Sequence, residues 1–375
     1  MTRLVLFCHS LRSDWNHGNA HFLRGVLREC RRRGMDAVAY EPADGWSARN
    51  LSDQAGLEAL DFWRSAYPEL PVVVYDPARL DLDRALDGAD LVLVHEWNEP
   101  ALVARIAAHR RNGGRYLLLF HDTHHRLLTD PDAIAAFDLD GFDGVLAFGE
   151  VLRDAYWRQG WARQVFTWHE AADVSLFRPH PEIPRQRDLV WVGNWGDEER
   201  TAELDEYLIE PVRALGLSAR VHVVRYPPEG KAALTAAGIE LAGYLPNFRV
   251  PEALAAARMT VHIPRRPYAT ALPGIPTIRV FEALACGIPL VSAPWDDCEA
   301  LFTTDVDYLL AADGDEMRRH LAALRADPDM AAAISESGRA TVLSRHTCAH
   351  RVDELLEICR QLGRELAGPE MMAAQ

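Results

Sequence analysis

Residues 277–302, TIRVFEALACGIPLVSAPWDDCEALF, contain the pattern that decides the fold of this chain. Apolar residues recur at helical spacing over residues 278–285. Gly287 and then a proline end the helix, because glycine tolerates positive φ and proline lacks an N–H group. The short apolar run at residues 289–292 is typical of a strand buried on both faces. A helix followed at once by a buried strand predicts an α/β sheet with parallel strands.

The loop before this helix, residues 271–276 (ALPGIP), leaves backbone N–H groups directed outward at a helix start. Such a start favours anions, because its unpaired N–H groups and the helix dipole face the ligand. Glu282 lies about five residues further along, roughly 7–8 Å at 1.5 Å per residue. That distance matches the separation of the diphosphate and the ribose in a nucleotide. Glu282 is therefore a candidate for binding the ribose hydroxyls, and a solvated helix residue is the alternative.

The run Glu282-Ala-Leu-Ala-Cys-Gly-Ile-Pro-Leu-Val291 resembles the signature of the group-1 glycosyltransferases of GT-B type. The chain departs from that family at Gly274, where many relatives carry a glutamate near the donor sugar. With Arg279 three residues before Glu282, the motif resembles that of the CgeB-type (spore-maturation-like) branch. The resemblance extends to Gly18-Asn19-Ala-His21 and Gly243-Tyr-Leu-Pro-Asn247. It implies two Rossmann-like doubly wound α/β domains facing across a cleft. It also implies transfer of a sugar from a nucleoside-diphosphate sugar to an acceptor.

The composition limits the classes of protein to consider. A chain of 375 residues fits two domains that each bury a core. Hydrophobic residues at 49% and charged residues at 25% are typical of a soluble globular protein, and we expect no membrane span or secretory signal. The net charge of −15 argues against general nucleic-acid binding. Six scattered cysteines without paired metal spacing indicate reduced thiols in a cytoplasmic protein.

Apolar strand patterns alternate with helical patterns along the chain, as in a doubly wound sheet. A proline-rich stretch at residues 173–187 indicates a crossing between domains. We expect an acceptor-side domain over residues 1–172 and a domain binding the nucleotide sugar over residues 187–345. The resemblance implies that residues 346–375 include a helix that packs back on the first domain. In such sheets ligands bind at the carboxyl ends of the strands, where polar residues collect here.

Candidate donor-binding residues follow predicted strands of the second domain. The guanidinium forks of Arg265 and Arg266 match phosphate oxygens, although two exposed surface arginines are the alternative. Thr277 is predicted to cap the helix or to donate to a phosphate. Arg279 is predicted to face the phosphates or to pair with Glu282. The remaining candidates, most of them implied by the resemblance, are Asn194, Tyr244, Pro246, Asn247, Gly274 and Ile275.

Candidate residues of the first domain would contact the acceptor or remove its proton. The catalytic candidates are Asp122, His124 and His21, and the acceptor-side candidates are His17, Gly18, Asn19 and Glu96. Asp122 and His124 form the best candidate pair for a general base, because both lie in one loop past a strand. A retaining enzyme could leave this proton to the donor phosphate. With fifteen histidines in the chain, a structural role competes for each of them.

We predict no metal and no cofactor beyond the nucleoside-diphosphate sugar as co-substrate. The acidic pairs at residues 138–140 and 313–315 imitate a metal site, but a solvated turn and a helix cap explain them better. The helix start and the arginines would stabilise the leaving diphosphate. The acceptor is a small molecule, a glycan or a protein. Two alternatives stay open: a nucleotide-sugar epimerase on the same fold, and a non-catalytic protein that binds sugar nucleotides.

Overall fold

The computed structural model of the chain describes residues 1–366, which form two compact units. The first unit comprises Met1–Glu170 together with the described residues from Cys348 onward, and the second comprises Ala171–Thr347. Each unit contains one sheet in which all paired strands run parallel. Parallel strands need crossover connections, which the intervening helices provide. The predicted α/β class with two doubly wound sheets is confirmed.

The sheet of the first unit has seven strands. They are β1 (Arg3–Phe7), β2 (Asp36–Pro42), β3 (Val72–Tyr75), β4 (Leu91–His95), β5 (Leu117–Asp122), β6 (Gly144–Ala147) and β7 (Val165–Thr167). Their order across the sheet is β3-β2-β1-β4-β5-β6-β7. β4 and β5 are buried along their whole length, as expected where helices cover both faces. The order reverses between β1 and β4, so the carboxyl ends of these two strands mark the expected ligand position.

Seven helices connect these strands. They are α1 (Ala20–Arg32), α2 (Trp46–Ala55), α3 (Leu82–Ala85), α4 (Pro100–Arg111), α5 (Arg126–Thr129), α6 (Pro131–Ala135) and α7 (Glu150–Gln159). A 3₁₀ segment spans Leu57–Ser65. The sequence predicts an α-helix over residues 55–66. The structure has a helical segment there, but it is wound as a 3₁₀ helix, which is tighter than an α-helix.

The sheet of the second unit has six strands. They are β8 (Arg187–Asn194), β9 (Ala219–Val224), β10 (Glu240–Ala242), β11 (Ala257–His262), β12 (Leu290–Ser292) and β13 (Leu309–Leu310). Their order is β10-β9-β8-β11-β12-β13, which reverses between β8 and β11. Its helices are α8 (Thr201–Leu204), α9 (Glu210–Leu215), α10 (Pro228–Ala236), α11 (Val250–Ala255), α12 (Arg266–Ala271), α13 (Ile278–Ala285), α14 (Gly314–Ala326) and α15 (Pro328–Arg345). The predicted helix and buried strand of residues 277–302 are α13 and β12.

The last helix, α16 (Cys348–Gln361), belongs to the first unit although it follows the second along the chain. Arg33, just after α1, donates to the carbonyl of Ala349 at 3.0 Å and pairs with Asp353. The indole N–H of the buried Trp168 donates to the carbonyl of Arg351 at 2.8 Å. The end of the predicted C-terminal segment, residues 367–375, lies outside the described residues. No helix within residues 1–366 has both the length and the apolar character needed to cross a membrane.

Candidate functional site

The start of α13 is shaped by the loop that contains Gly274. This glycine has φ +86°, a left-handed conformation that side chains rarely adopt. Its N–H donates to the carbonyl of Asp296 at 2.5 Å, and an added Cβ would lie 2.5 Å from Cγ of Glu299. The glycine at this position is therefore required by backbone geometry and by the space that Glu299 occupies.

We expect Gly274→Ala to lower the free energy of unfolding by about 1–2 kcal/mol, because a side chain in the left-handed region is strained. Urea denaturation measures this change. Gly243→Ala is the matched control: Gly243 does not have positive φ, and a Cβ added there meets nothing within 4 Å. Equal effects of the two substitutions would contradict the account of Gly274.

Thr277 is the N-cap residue of α13, but its side chain makes no capping hydrogen bond. Its hydroxyl lies 3.1 Å from Nε2 of His262, whose Nδ1 lies 2.8 Å from the hydroxyl of Ser292. Ser292 donates its own hydrogen to the carbonyl of Ala293, so it accepts from Nδ1–H. Burial lowers the pKa of His262 to about 3, so Nε2 carries a lone pair and the Thr277 hydroxyl donates to it. The prediction that the Thr277 side chain caps the helix is wrong, because its hydroxyl donates to His262 instead.

Glu282 is fully buried on α13, so the alternative of a solvated helix residue is wrong. One carboxylate oxygen accepts a hydrogen bond of 2.8 Å from the side-chain amide of Asn247. The other pairs with Arg279, as the spacing of three residues predicts. The Oδ1 atom of Asn247 is buried and has no hydrogen-bond partner within residues 1–366. Two candidates from separate motifs thus form one buried polar group.

Arg200 is not among the site residues predicted from the sequence. It lies just before α8 and is almost fully buried. Its guanidinium donates to the carbonyl of Ile263 at 2.8 Å and to both oxygens of Asn194 at 2.6 Å. It also lies over the ring of Trp191, 5.0 Å from the ring centroid. These contacts place a cation where β8 and β11 end, at the reversal point of the second sheet.

The charge of Arg200 is not balanced by an ion pair in the described part of the chain. Burial lowers the pKa of Arg200 to about 10, and the positive charges of Arg265 and Arg279 act in the same direction. Arg265 itself pairs with Glu199 at 2.9 Å and with Asp197 at 3.4 Å. The three arginines form a positive group that we call the arginine cluster.

The other donor-side candidates are more dispersed. Arg266 begins α12, is exposed, and pairs through both arms of its guanidinium with Glu203 at 3.0 and 3.2 Å. It therefore does not share the carboxylate partners of its neighbour Arg265. Ile275 is buried, whereas Tyr244 and Pro246 are half-buried in the segment after β10.

In the first unit, Glu96 follows β4 and is fully buried. Its carboxylate pairs with Arg126, which lies over the ring of Trp97 at 4.2 Å from the centroid. The Thr123 hydroxyl donates to Glu96 at 3.4 Å and accepts a hydrogen bond from the side-chain amide of Asn19. Two predicted acceptor-side residues, Asn19 and Glu96, are thus joined through Thr123.

Asp122 ends β5, close to Glu96, and is fully buried. It accepts a 2.8 Å hydrogen bond from the hydroxyl of Tyr156 and a 3.0 Å bond from the backbone N–H of His124. The bond that the structure shows from residue 124 comes from its main chain. Burial raises the pKa of both carboxyl groups, and the charge of Asp122 raises that of Glu96 further.

Four histidines form a row across the ends of β1, β4 and β5. The ring centroids of His9 and His17 are 4.0 Å apart, those of His17 and His95 6.2 Å, and those of His95 and His121 5.3 Å. Burial lowers the pKa of all four, so they are neutral at pH 7. Of these four histidines, only His17 is among the site residues predicted from the sequence. The signal for the others was their position at or just after a strand end.

The remaining candidates of the first unit lie around the start of α1. Asn19 is its N-cap residue and makes no side-chain capping bond, because its amide is bonded to Thr123. Gly18 is half-buried before it, and His21 is fully buried in the first turn of the helix.

His121, at the inner end of the row, predicts a pH dependence of stability. Burial lowers the pKa of His121 to about 3, whereas a histidine in the unfolded chain has a pKa of about 6.5. The unfolded state therefore binds more protons below pH 6.5, and stability is lost as the pH falls from 6.5 towards 3. We expect the stability advantage of the wild type over His121→Asn to shrink by about 1.4 kcal/mol per pH unit in that range. Denaturation between pH 7 and 4 measures it, and parallel curves would contradict it.

Residues 1–366 contain no group of three or more His, Cys, Asp or Glu side chains arranged to hold a metal ion. Asp313 caps α14 by accepting from the N–H of Glu316 at 2.8 Å, as the sequence predicts. Asp138 pairs instead with Arg111 at 3.0 Å.

Comparison with known proteins agrees with this architecture. A family model described as glycosyl transferase-like matches residues 200–357. No curated protein matches the chain. Among solved structures, Anabaena Alr3699/HepE in complex with UDP-glucose has a TM-score of 0.67 at 16% identity, covering 96% of this chain and 100% of that chain.

Two further solved structures have similar scores. An alpha-glucosyltransferase (AGT) in complex with UDP has a TM-score of 0.66 at 12% identity, covering 97% of this chain and 100% of that chain. Sucrose-phosphate synthase from Thermosynechococcus elongatus has a TM-score of 0.63 at 14% identity, covering 97% and 99% of the two chains. The chain therefore has the two-domain α/β fold of the GT-B glycosyltransferases.

Proposed function

We propose that this chain transfers a sugar from a nucleoside-diphosphate sugar to an acceptor, and that the second unit binds the donor. The observation that carries the proposal is Arg200, a buried guanidinium without an ion-pair partner in the described chain. A buried charge is costly unless it is paired. Arg200 lies with Arg265 and Arg279 where β8 and β11 end, and a diphosphate would supply the missing negative charge.

The buried pair of Glu282 and Asn247 supports a nucleotide rather than a simple anion. A carboxylate only accepts hydrogen bonds, which suits the hydroxyl groups of a ribose. The free Oδ1 of Asn247 is a further acceptor beside it. The solved complexes of similar fold add support, since Alr3699/HepE contains UDP-glucose and the alpha-glucosyltransferase contains UDP.

The chemistry would depend on stabilising the diphosphate as it leaves the sugar. The arginine cluster and the N-terminal N–H groups of α13 can do this without a metal ion. The backbone supplies the donors at the helix start, because the hydroxyl of Thr277 is bonded to His262. We therefore propose a metal-independent transferase that needs no cofactor other than its nucleotide-sugar co-substrate.

The first unit would supply the contacts to the acceptor, through the group that joins Asn19, Thr123 and Glu96. We further propose that the transferred sugar is a hexose and that the chain belongs to the CgeB-type branch, for which Arg279 beside Glu282 is the supporting feature. The thiols of Cys8, Cys30 and the other cysteines are free, and we propose that the protein acts in the reducing cytoplasm.

The test measures binding first and turnover second. Calorimetry with UDP, GDP and dTDP identifies the base, and the matching nucleotide sugar is then incubated with a panel of acceptors in EDTA. Release of nucleoside diphosphate that depends on the acceptor and persists in EDTA supports the proposal. A changed sugar epimer without any acceptor would show the epimerase instead. Binding without turnover over the whole panel would show the non-catalytic alternative.

A further inference from the structure

Two exposed tryptophans lie at the carboxyl edge of the sheet of the first unit. Trp97 follows the end of β4 and is 39% exposed, and Trp46 begins α2, shortly after β2, and is 43% exposed. Tryptophan side chains are on average largely buried, so two of them open to solvent at one edge are unusual. This is the edge at which such sheets bind ligands. The two indole rings are therefore candidates for contacts with a substrate.

The ring of Trp97 is held in place by a charged side chain. The guanidinium of Arg126 lies over it, 4.2 Å from the ring centroid, and is itself fixed by the carboxylate and the carbonyl of Glu96. The ring of His124 meets that of Trp97 at a centroid distance of 5.0 Å and an angle of 80°. A side chain that is already fixed loses little conformational entropy when a ligand binds to it. Trp97 thus offers a preformed apolar surface.

Trp46 is fixed by the loop between β1 and α1. The buried ring of Trp15 packs against it at 70°, with 5.2 Å between the centroids. The indole N–H of Trp15 donates to the side chain of Gln54, and the carbonyl of Trp15 accepts a 2.8 Å hydrogen bond from the hydroxyl of Ser47. These bonds join the loop to both ends of α2, so the ring of Trp46 is also a preformed surface.

The separation of the two tryptophans suits a chain of sugars. β1 lies between β2 and β4, so the ends of those two strands are about 10 Å apart. This span accommodates two neighbouring rings of an oligosaccharide. A sugar ring has C–H groups on its faces, which pack on indole, and hydroxyl groups around its edge. The loop after β1 contains the half-buried His9 and Arg12, whose polar atoms can bond such hydroxyls.

Other extended ligands fit this edge less well. A membrane or an apolar protein surface needs a contiguous apolar patch, whereas the polar loop after β1 lies between the strands that carry the two tryptophans. A nucleic acid also stacks on aromatic rings, but it needs a positively charged groove, and the net charge of the chain is −15. An uncharged glycan needs neither.

Resting on the function proposed above, we propose that the acceptor is an oligosaccharide whose neighbouring rings stack on Trp97 and Trp46. Trp97 follows β4, where the strand order reverses, so it binds the ring nearer to the reversal point. Trp46 follows β2, on the far side of β1, and binds the next ring along the acceptor. The first unit therefore favours acceptors of at least two rings.

The test measures transfer to acceptors of increasing length. UDP-, GDP- and dTDP-sugars are incubated with monosaccharides, with malto-, cello-, manno- and chito-oligosaccharides, and with peptides, and the release of nucleoside diphosphate above the rate in water is recorded. In the wild type we expect the KM for the acceptor to fall when a second ring is added. Trp97→Ala should raise the KM by about tenfold for acceptors of every length, whereas Trp46→Ala should do so only for acceptors with a second ring.

Trp157→Ala is the matched control. Trp157 is 56% exposed and has Arg153 at 5.4 Å from its ring centroid, but it lies in the last turn of α7, which leads to the opposite edge of the sheet. We expect it to keep the wild-type KM for acceptors of every length. Trp97→Phe and Trp46→Phe keep an aromatic face and should recover most of the affinity. Melting temperatures check that each variant is folded.

A wild-type KM in both alanine variants, an equal rise in Trp157→Ala, or a loss that phenylalanine does not recover would overturn the inference. So would a wild type that transfers sugar to a peptide or to water but to no carbohydrate, and the donor chemistry of the proposed function would then stand. A wild type that turns over none of the three donors would overturn both proposals.

Discussion

Arg200→Met is expected to weaken the binding of a nucleoside diphosphate by about 10²–10⁴-fold. A hydrogen bond to a charged group contributes about 1.5–3 kcal/mol. Three of the five N–H groups of Arg200 donate to Ile263 and Asn194, which leaves two for a diphosphate. Every 1.4 kcal/mol corresponds to about tenfold in affinity. Methionine fills much of the same space beside Trp191, so the substitution removes the charge and its donors more than the packing. Calorimetry with UDP, GDP and dTDP measures the affinity.

Arg266→Ala is the matched control for Arg200. Arg266 is exposed and already pairs with Glu203, so we expect its removal to change affinity little. A second readout is the rise in melting temperature that a bound nucleotide causes, which Arg200→Met should lose and Arg266→Ala should keep. If Arg266→Ala loses this stabilisation and Arg200→Met keeps it, the phosphate contact lies at Arg266 and not at Arg200.

Glu282→Ala is expected to weaken the binding of nucleoside diphosphates by roughly 10–100-fold while leaving the affinity for inorganic pyrophosphate unchanged. A carboxylate accepts hydrogen bonds and donates none, which suits ribose hydroxyls, and the contacts to Asn247 and Arg279 hold this one in place. Pyrophosphate lacks the ribose, so its affinity should depend on the arginine cluster and the start of α13 and not on Glu282. Titrating both ligands against both variants separates the ribose contact from the phosphate contact.

Glu252→Ala provides the control for Glu282, because Glu252 is an acid on α11 that pairs with Arg249 near the surface. We expect it to bind both ligands as the wild type does. Unchanged nucleotide affinity in Glu282→Ala would remove Glu282 from the donor site. An equal loss of pyrophosphate and nucleotide would instead indicate that the substitution disturbs the start of α13.

The sequence predicted the regular elements best where local signals agreed. Helical spacing followed by Gly287 and a proline located α13 and β12 to within a residue or two. It predicted less well where winding departs from the α-helix. The run before Leu215 contains a π-helical turn at Asp205–Ile209, and Pro211 beyond it has no N–H for a regular bond. The short α12 and β13 carried too few residues to show a period.

The contacts within the candidate site were harder to predict from the sequence, because they join residues that only the folded structure brings together. Asn247 and Glu282 were both predicted, but their hydrogen bond joins residues 35 positions apart. Asp122 was predicted with a neighbour in its own loop, and its hydroxyl partner is Tyr156 on α7. Arg200 looked like one charge among several after β8, because the sequence does not show which loop side chain turns inward. The burial of the Arg200 side chain depends on the folded conformation of the segment between β8 and α8.

The position of α16 has a consequence for how the protein is made. The helix that completes the first unit is encoded after the whole of the second, so a ribosome must synthesise the entire second unit before α1 can meet its partner. The second unit, which is continuous in sequence, can therefore reach its native state first during synthesis, although domains are usually completed from the N-terminus onward. Until then, the surface of α1 that faces α16 must remain uncovered or be shielded by a chaperone.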